Sequence, residues 1–162
     1  VYLEERVGQL LKERGLTISV AESCTGGLLA SRIINVAGAS AYFLGGIVAY
    51  QNDVKVRLLA VPEQAIKEGG AISAETAAAM ARGCRELFGS DIGVAITGIA
   101  GPTGGSAAKP VGTTYVAVEG PAGERCRCFH WSGNRTSNRE SSVNAALELI
   151  LACWDDDNPP SI

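Results

Sequence analysis

The sequence holds one histidine among its 162 residues, and no run of apolar residues near the ~20 that a membrane helix needs. It has no cluster of basic residues either. Lys and Arg number 14 against 17 Asp and Glu, and the formal net charge is −3. Nothing in that balance advertises nucleic acid or an anionic membrane as a partner. The opening stretch VYLEERVGQLLKERG is charged and amphipathic, unlike a signal peptide, so the cytoplasm is the expected compartment. Five cysteines, an odd number in a chain of this size, do not make a disulfide framework. With a single histidine, His130, placed mid-strand, a Ser-His-Asp triad is disfavoured.

Glycine, by contrast, is abundant. The chain has 20, and 46% of its residues are hydrophobic, enough for one compact domain with a real core. Leu3, Val7, Leu10 and Leu11 recur at helical spacing, with Gly15 as a stop. Strands are expected over 16–21, 46–51 and 91–98, the last two buried. Helices are expected over 26–36, from Asn52 as an N-cap, over 62–68, and over 74–88 behind a Ser73 cap. TTYVAVE and RCRCFHW read as a hairpin, and Asn134 caps a last helix. The pattern predicts a single-domain three-layer α/β/α sandwich on a mostly parallel mixed sheet. The domain covers residues 1–154, and 155–162 form a disordered tail.

In open α/β sheets, ligands sit beyond the carboxyl ends of the parallel strands. Three such ends carry reactive residue types. The first is Glu22-Ser23-Cys24-Thr25-Gly26-Gly27. The second is Tyr50-Gln51-Asn52, followed by Lys55. The third is Thr97-Gly98 and the glycine-rich loop through Gly101, Gly104 and Gly105. A serine hydroxyl needs a base. Without a suitable histidine, a neutral Lys55 could serve Ser23, burial favouring the uncharged amine, with Tyr50 relaying a proton or orienting the lysine. Backbone N–H groups over Cys24–Gly27 would face the oxyanion. Ser23 and Thr25 equally suit a helix cap, and Lys55 equally suits a solvated helix face.

The loop TGIAGPTGG matches neither phosphate-binding glycine signature, yet its N–H groups can form an anion nest. Lys109, Arg135 and Arg139 are candidates to balance a phosphate. Cys126, Cys128 and His130 alternate along one strand. The outer pair would stand roughly 13 Å apart, too far for one ion, and no metal site is expected. Cys24 as a reactive thiol remains an alternative to Ser23.

AESCTGG, SAYFLGGIVAYQNDVKVRLL, GGAISAETAAAMA and DIGVAITGIAGPTGGSAAKPVGTTYVAV, in that order, resemble the CinA C-terminal domain family across residues 3–153. That family includes nicotinamide mononucleotide (NMN) amidohydrolases. The resemblance implies a bacterial cytosolic enzyme of pyridine nucleotide salvage that converts NMN to nicotinate mononucleotide and ammonia. It implies a homo-oligomer that needs no metal or other cofactor. It also implies a Ser/Lys/Tyr site falling on Ser23, Lys55 and Tyr50, with the family's loop threonine at Thr97. On this reading Cys24, Thr25, Gly26, Gly27, Thr97, Gly98, Gly101, Gly104, Gly105, Arg135 and Arg139 bind substrate. The chain departs from the usual family pattern at Thr103, where glycine is common, and at Asn134, where aspartate is common. A non-catalytic nucleotide sensor using the same loops is the alternative function, and a subunit valued for assembly is a further one.

Overall fold

The computed structural model describes residues 1–155. In chain order the elements are α1 (Leu3–Arg14), β1 (Ile18–Glu22), α2 (Leu28–Ile34), β2 (Phe43–Val48), α3 (Asn52–Leu59), α4 (Glu63–Gly69), α5 (Ala74–Phe88), β3 (Ile92–Gly98), β4 (Thr113–Gly120), β5 (Gly123–His130) and α6 (Arg135–Ala152). The five strands lie in the order β2-β1-β3-β4-β5. β1 pairs in parallel with β2 and β3, while β4 is antiparallel to both β3 and β5. Only β4 therefore runs against the rest, which is the expected mixed, mostly parallel sheet. No described helix is long and apolar enough to cross a membrane.

The two faces of the sheet differ in side-chain size, and this sets how close each helix layer comes. One face presents Ile18, Val20, Ile92, Val94, Ile96, Val116 and Val118 to α1, α2 and α6. The other presents Ala21, Ala95 and Ala117 to the alanine-rich α5, flanked by α3 and α4. Small residues on both sides let the α5 backbone approach the sheet closely. A Cβ on Gly93 would lie 2.2 Å from the Ala81 carbonyl oxygen, and one on Gly83 would lie 1.7 Å from that of Leu59. Those glycines hold α5 against β3 and against the C-terminal end of α3 at backbone contact distance.

Capping follows the sequence at most ends. Gly15 closes α1 in the left-handed region at φ 64°. Ser73 Oγ accepts from the Thr76 N–H, and Asn134 Oδ1 from the Ser137 N–H.

The other strands shift by one or two residues at an end, and three further differences from expectation bear on the site. β2 begins at Phe43 and ends at Val48, where 46–51 was expected. It is an edge strand whose residues alternate between half-buried and exposed, so it is not covered on both faces. The uninterrupted apolar run SAYFLGGIVA hid where the strand starts. α2 is shorter than expected because residues 23–27 form a turn before it. Asn52 is the first residue of α3, and Gln51 occupies the N-cap with no side-chain hydrogen bond. The expected tail lies, apart from Asp155, in residues 156–162, outside the described residues.

Candidate active site

The β1–α2 connector is folded by contacts on both of its sides. The Ser23 N–H donates to the Ile96 carbonyl at 3.0 Å, extending the β1–β3 ladder by one residue. Beyond it the chain turns through Gly26 and Gly27, at φ 59° and 100°, a left-handed stretch that a Cβ would strain. The buried Glu22 carboxylate reaches across this turn. Its Oε1 accepts from the Leu29 N–H at 2.8 Å and its Oε2 from the Ala30 N–H at 3.1 Å. Glu22 therefore caps α2, whose N-cap residue, Gly27, has no side chain to do so. Ser23 and Thr25 do not perform the capping role their residue types suit. The Gly26 N–H is taken by the Ser23 carbonyl at 3.1 Å, which removes one of the four expected oxyanion donors. From the opposite side, α6 sends Arg139 to the Cys24 carbonyl (Nε, 2.9 Å) and the Thr25 carbonyl (3.0 Å).

Lys55 arrives from the β2–α3 connection. The Ala49 N–H bonds the Glu22 carbonyl at 2.8 Å, which keeps the two strand ends abreast. Lys55 lies on the first turn of α3 and is 1% exposed. Its Nζ sits 3.4 Å from Ser23 Oγ and donates to the Tyr50 carbonyl at 3.2 Å. Among the described residues no carboxylate pairs with it. Burial accordingly holds its pKa below the ordinary value of 10.5, outweighing an opposing influence of Cys24. The solvated-lysine alternative is thus removed by burial.

Tyr50 meets Lys55 through its main chain, not its ring. Ala49 is fully buried, and one residue later the chain turns Tyr50 outward, leaving it 60% exposed. Its hydroxyl accepts from the Arg135 guanidinium at 3.4 Å, and that guanidinium also donates to the Gly101 carbonyl at 2.7 Å.

The third strand end supplies the far wall. Thr97 Oγ1 donates to the Ala71 carbonyl at 2.8 Å, tying β3 to the α4–α5 turn. The loop after Gly98 folds back on β4, with the Ile99 N–H on the Thr113 carbonyl and the Gly112 N–H on the Ile99 carbonyl. Asn138, buried on α6, donates to the Ala100 carbonyl at 3.0 Å. Lys109 gives its ammonium to the Gly69 carbonyl at the end of α4.

These three ends enclose a cavity of about 320 Å³. Ser23, Cys24, Tyr50, Lys55, Thr97, Gly98, Gly101, Gly104 and Arg135 all line it. Thr25, Gly26, Gly27, Gly105 and Arg139 do not. Lys109 is likewise absent from the wall. Asn52, at the start of α3, with Ala71, Ile72, Ile99, Ala100 and Thr103, completes the lining. Of these, only Ala71 and Ile72 lie outside the strand ends and loop that the sequence flagged. The α4–α5 turn carries no polar side chain at Ala71 or Ile72 to draw attention to it. The lining contains two basic residues and no carboxylate.

Cys24 is 8% exposed, and burial pushes its thiol up to about 11. Away from the cavity, Cys128 Sγ lies 3.7 Å from His130 Nε2, while Cys126 Sγ turns to the Ala74 carbonyl. The alternating trio therefore does not converge.

A family model described as CinA C-terminal domain matches residues 2–154. A CinA-like protein of Geotalea daltonii is 55% identical over 144 residues, covering 89% of this chain and 35% of that protein. The chain spans about a third of the length of the curated relatives it matches. Among solved structures, the competence/damage inducible protein CihA from Agrobacterium tumefaciens is similar with a TM-score of 0.91 at 39% identity, covering 94% of both chains. A competence-damaged protein (CinA) superfamily protein from Escherichia coli gives a TM-score of 0.89 at 32% identity, covering 92% of this chain and 87% of that one.

Proposed function

The chain belongs to the CinA C-terminal domain family, and from that premise we propose that it is an amidohydrolase converting NMN to nicotinate mononucleotide and ammonia. The observation that carries the reading is the buried Lys55 amine, unpaired with any carboxylate among the described residues and 3.4 Å from Ser23 Oγ at the floor of a cavity.

With Lys55 neutral, its Nζ keeps one N–H on the Tyr50 carbonyl and turns its lone pair to the Ser23 hydroxyl. Ser23 Oγ attacks the carboxamide carbon as its proton passes to Lys55. The Cys24 N–H, from the one residue of the 24–27 turn that lines the cavity, stabilises the tetrahedral oxyanion. The intermediate collapses as the Lys55 ammonium protonates the amide nitrogen, releasing ammonia and leaving an ester on Ser23. Water, deprotonated by Lys55, attacks that ester and frees the carboxylate product and the serine.

The lining supports a phosphate-bearing substrate. It has no carboxylate to repel phosphate, and Arg135 stands at the rim with the loop of Gly101 and Gly104. The exposed Tyr50 ring offers a face to the pyridinium at the mouth. On the same reading the protein works in cytoplasmic pyridine nucleotide salvage, as a homo-oligomer, without metal or cofactor. Thiol chemistry at Cys24 is disfavoured by burial, which keeps that sulfur protonated.

Ammonia release from NMN, with nicotinamide and the dinucleotide as controls, tests the proposal. Stoichiometric ammonia from NMN is the expected result. Binding of NMN, read as thermal stabilisation, without ammonia would favour a nucleotide sensor instead.

A further inference from the structure

The arginine that the sequence offers to a substrate phosphate is already committed to the nucleophile's own loop. Arg139 spends its Nε on the Cys24 carbonyl at 2.9 Å and a terminal nitrogen on the Thr25 carbonyl at 3.0 Å. Neither contact is local, for Arg139 lies on α6, 115 and 114 residues further along the chain. On the other flank of the same five-residue connector, the Glu22 carboxylate grips the Leu29 and Ala30 N–H groups at 2.8 and 3.1 Å and is 1% exposed. A charged donor holds the connector's carbonyls, and a charged acceptor holds the first turn of the helix it leads into. Charge-assisted hydrogen bonds of this kind are the stronger ones, and both charges find partners on the main chain.

We propose that Glu22 and Arg139 form a two-sided brace that fixes Ser23 and the Cys24 N–H in register with Lys55, so that Arg139 is a positioning residue and not a ligand of the substrate phosphate. The assignment of a catalytic consequence rests on the NMN amidohydrolase reading; the brace itself does not.

The geometry explains why positioning is needed here. Gly26 and Gly27 give the connector left-handed conformations without side-chain packing to hold them. Within the connector, the bond from the Gly26 N–H to the Ser23 carbonyl closes a tight turn. Pinning the two carbonyls between those residues stops the turn from opening. The Glu22 carboxylate also answers the positive end of α2, so that the helix end is not left to draw in the substrate's anion. The anion is then left to Arg135, which lines the cavity where Arg139 does not.

The test compares the full chain with Arg139→Met, Arg139→Lys and Glu22→Gln, by ammonia release from NMN and by amide hydrogen exchange over residues 23–30. For Arg139→Met the expected result is a fall in kcat of about 100-fold with KM for NMN within about threefold, the scale of a misplaced reacting group. Exchange over residues 23–28 should speed up by more than about tenfold while the sheet core keeps its protection. Arg139→Lys, able to reach one carbonyl, should recover part of kcat. A KM raised more than about tenfold with kcat retained would make Arg139 a phosphate ligand and overturn the proposal. Unchanged exchange over 23–28 would overturn it too. If Arg139→Met does not fold, Arg139→Lys and Glu22→Gln carry the same comparison. If the unaltered protein releases no ammonia from NMN, the amidohydrolase reading fails, and the exchange rates alone decide the brace.

Discussion

Lys55 and Ser23, 32 residues apart in sequence, meet with Nζ 3.4 Å from Oγ because β1 and β2 end abreast and each hands its chain directly to the site. The lysine's environment, more than its identity, makes the pair chemically useful. It is 1% exposed and has a main-chain carbonyl where a surface lysine would find water or a carboxylate.

That burial has a thermodynamic signature. The folded-state pKa of Lys55 lies below 10.5, so between the two values the unfolded chain binds a proton that the folded chain does not. The lysine's cost to stability is therefore full at low pH and shrinks as pH rises toward 10.5. Lys55→Met should be the more stable protein near neutral pH, with a higher thermal midpoint. The advantage should narrow steadily toward alkaline pH. Calorimetry of both proteins across that range checks it.

Activity should follow the same group in the opposite sense. The proposed mechanism requires the base form of Lys55, so kcat/KM for NMN should rise with pH and reach its half-maximum below lysine's ordinary 10.5. Lys55→Arg, permanently charged, should lose activity by about 10²–10⁴-fold at every pH. A pH–rate profile of both proteins reads this directly.

Tyr50 serves Lys55 through its carbonyl, which survives any side-chain change. Tyr50→Phe should therefore keep kcat within about tenfold, with a modest rise in KM from losing the Arg135 contact at the rim. A loss of about 10³-fold in kcat would instead return the hydroxyl to the proton path.

Gly83 holds α5 on the end of the helix that carries Lys55. A methyl there would lie 1.7 Å from the Leu59 carbonyl oxygen, which backbone movement alone can relieve. Gly83→Ala should lower stability by about 2–3 kcal/mol, readable as a drop in thermal midpoint.

Cys24 should be silent toward alkylation. Its thiol, pushed up to about 11 by burial and 8% exposed, offers almost no thiolate near pH 8. Iodoacetamide should label the exposed Cys128 first and leave ammonia release intact, as peptide mass mapping and assay would show.

The strand ends were legible because apolar runs stop at them and polar residues begin. Ser23, Lys55 and Thr97 could be named from that punctuation and Arg135 as a basic residue near the start of the last helix, and the cavity joins them. Burial was not legible. A lone lysine on an eight-residue helix reads as solvated, and its burial beside Ser23 and the Tyr50 carbonyl comes from tertiary packing that no local pattern encodes. The direction of Tyr50 was hidden for a related reason: β2 ends three residues earlier than the sequence suggests, so its alternation does not carry to Tyr50. Glu22 and Arg139 illustrate the last gap. Both stood at expected positions, but their partners are backbone atoms, which leave no trace in residue type.

The central claim is that Ser23 carries the reaction with Lys55 as its base. Ammonia release from NMN by the unaltered protein and by Ser23→Ala, with both shown folded by their thermal midpoints, tests it most directly. The account predicts steady release by the first and a rate at least about 10³-fold lower from the second. Comparable ammonia release from Ser23→Ala would contradict it.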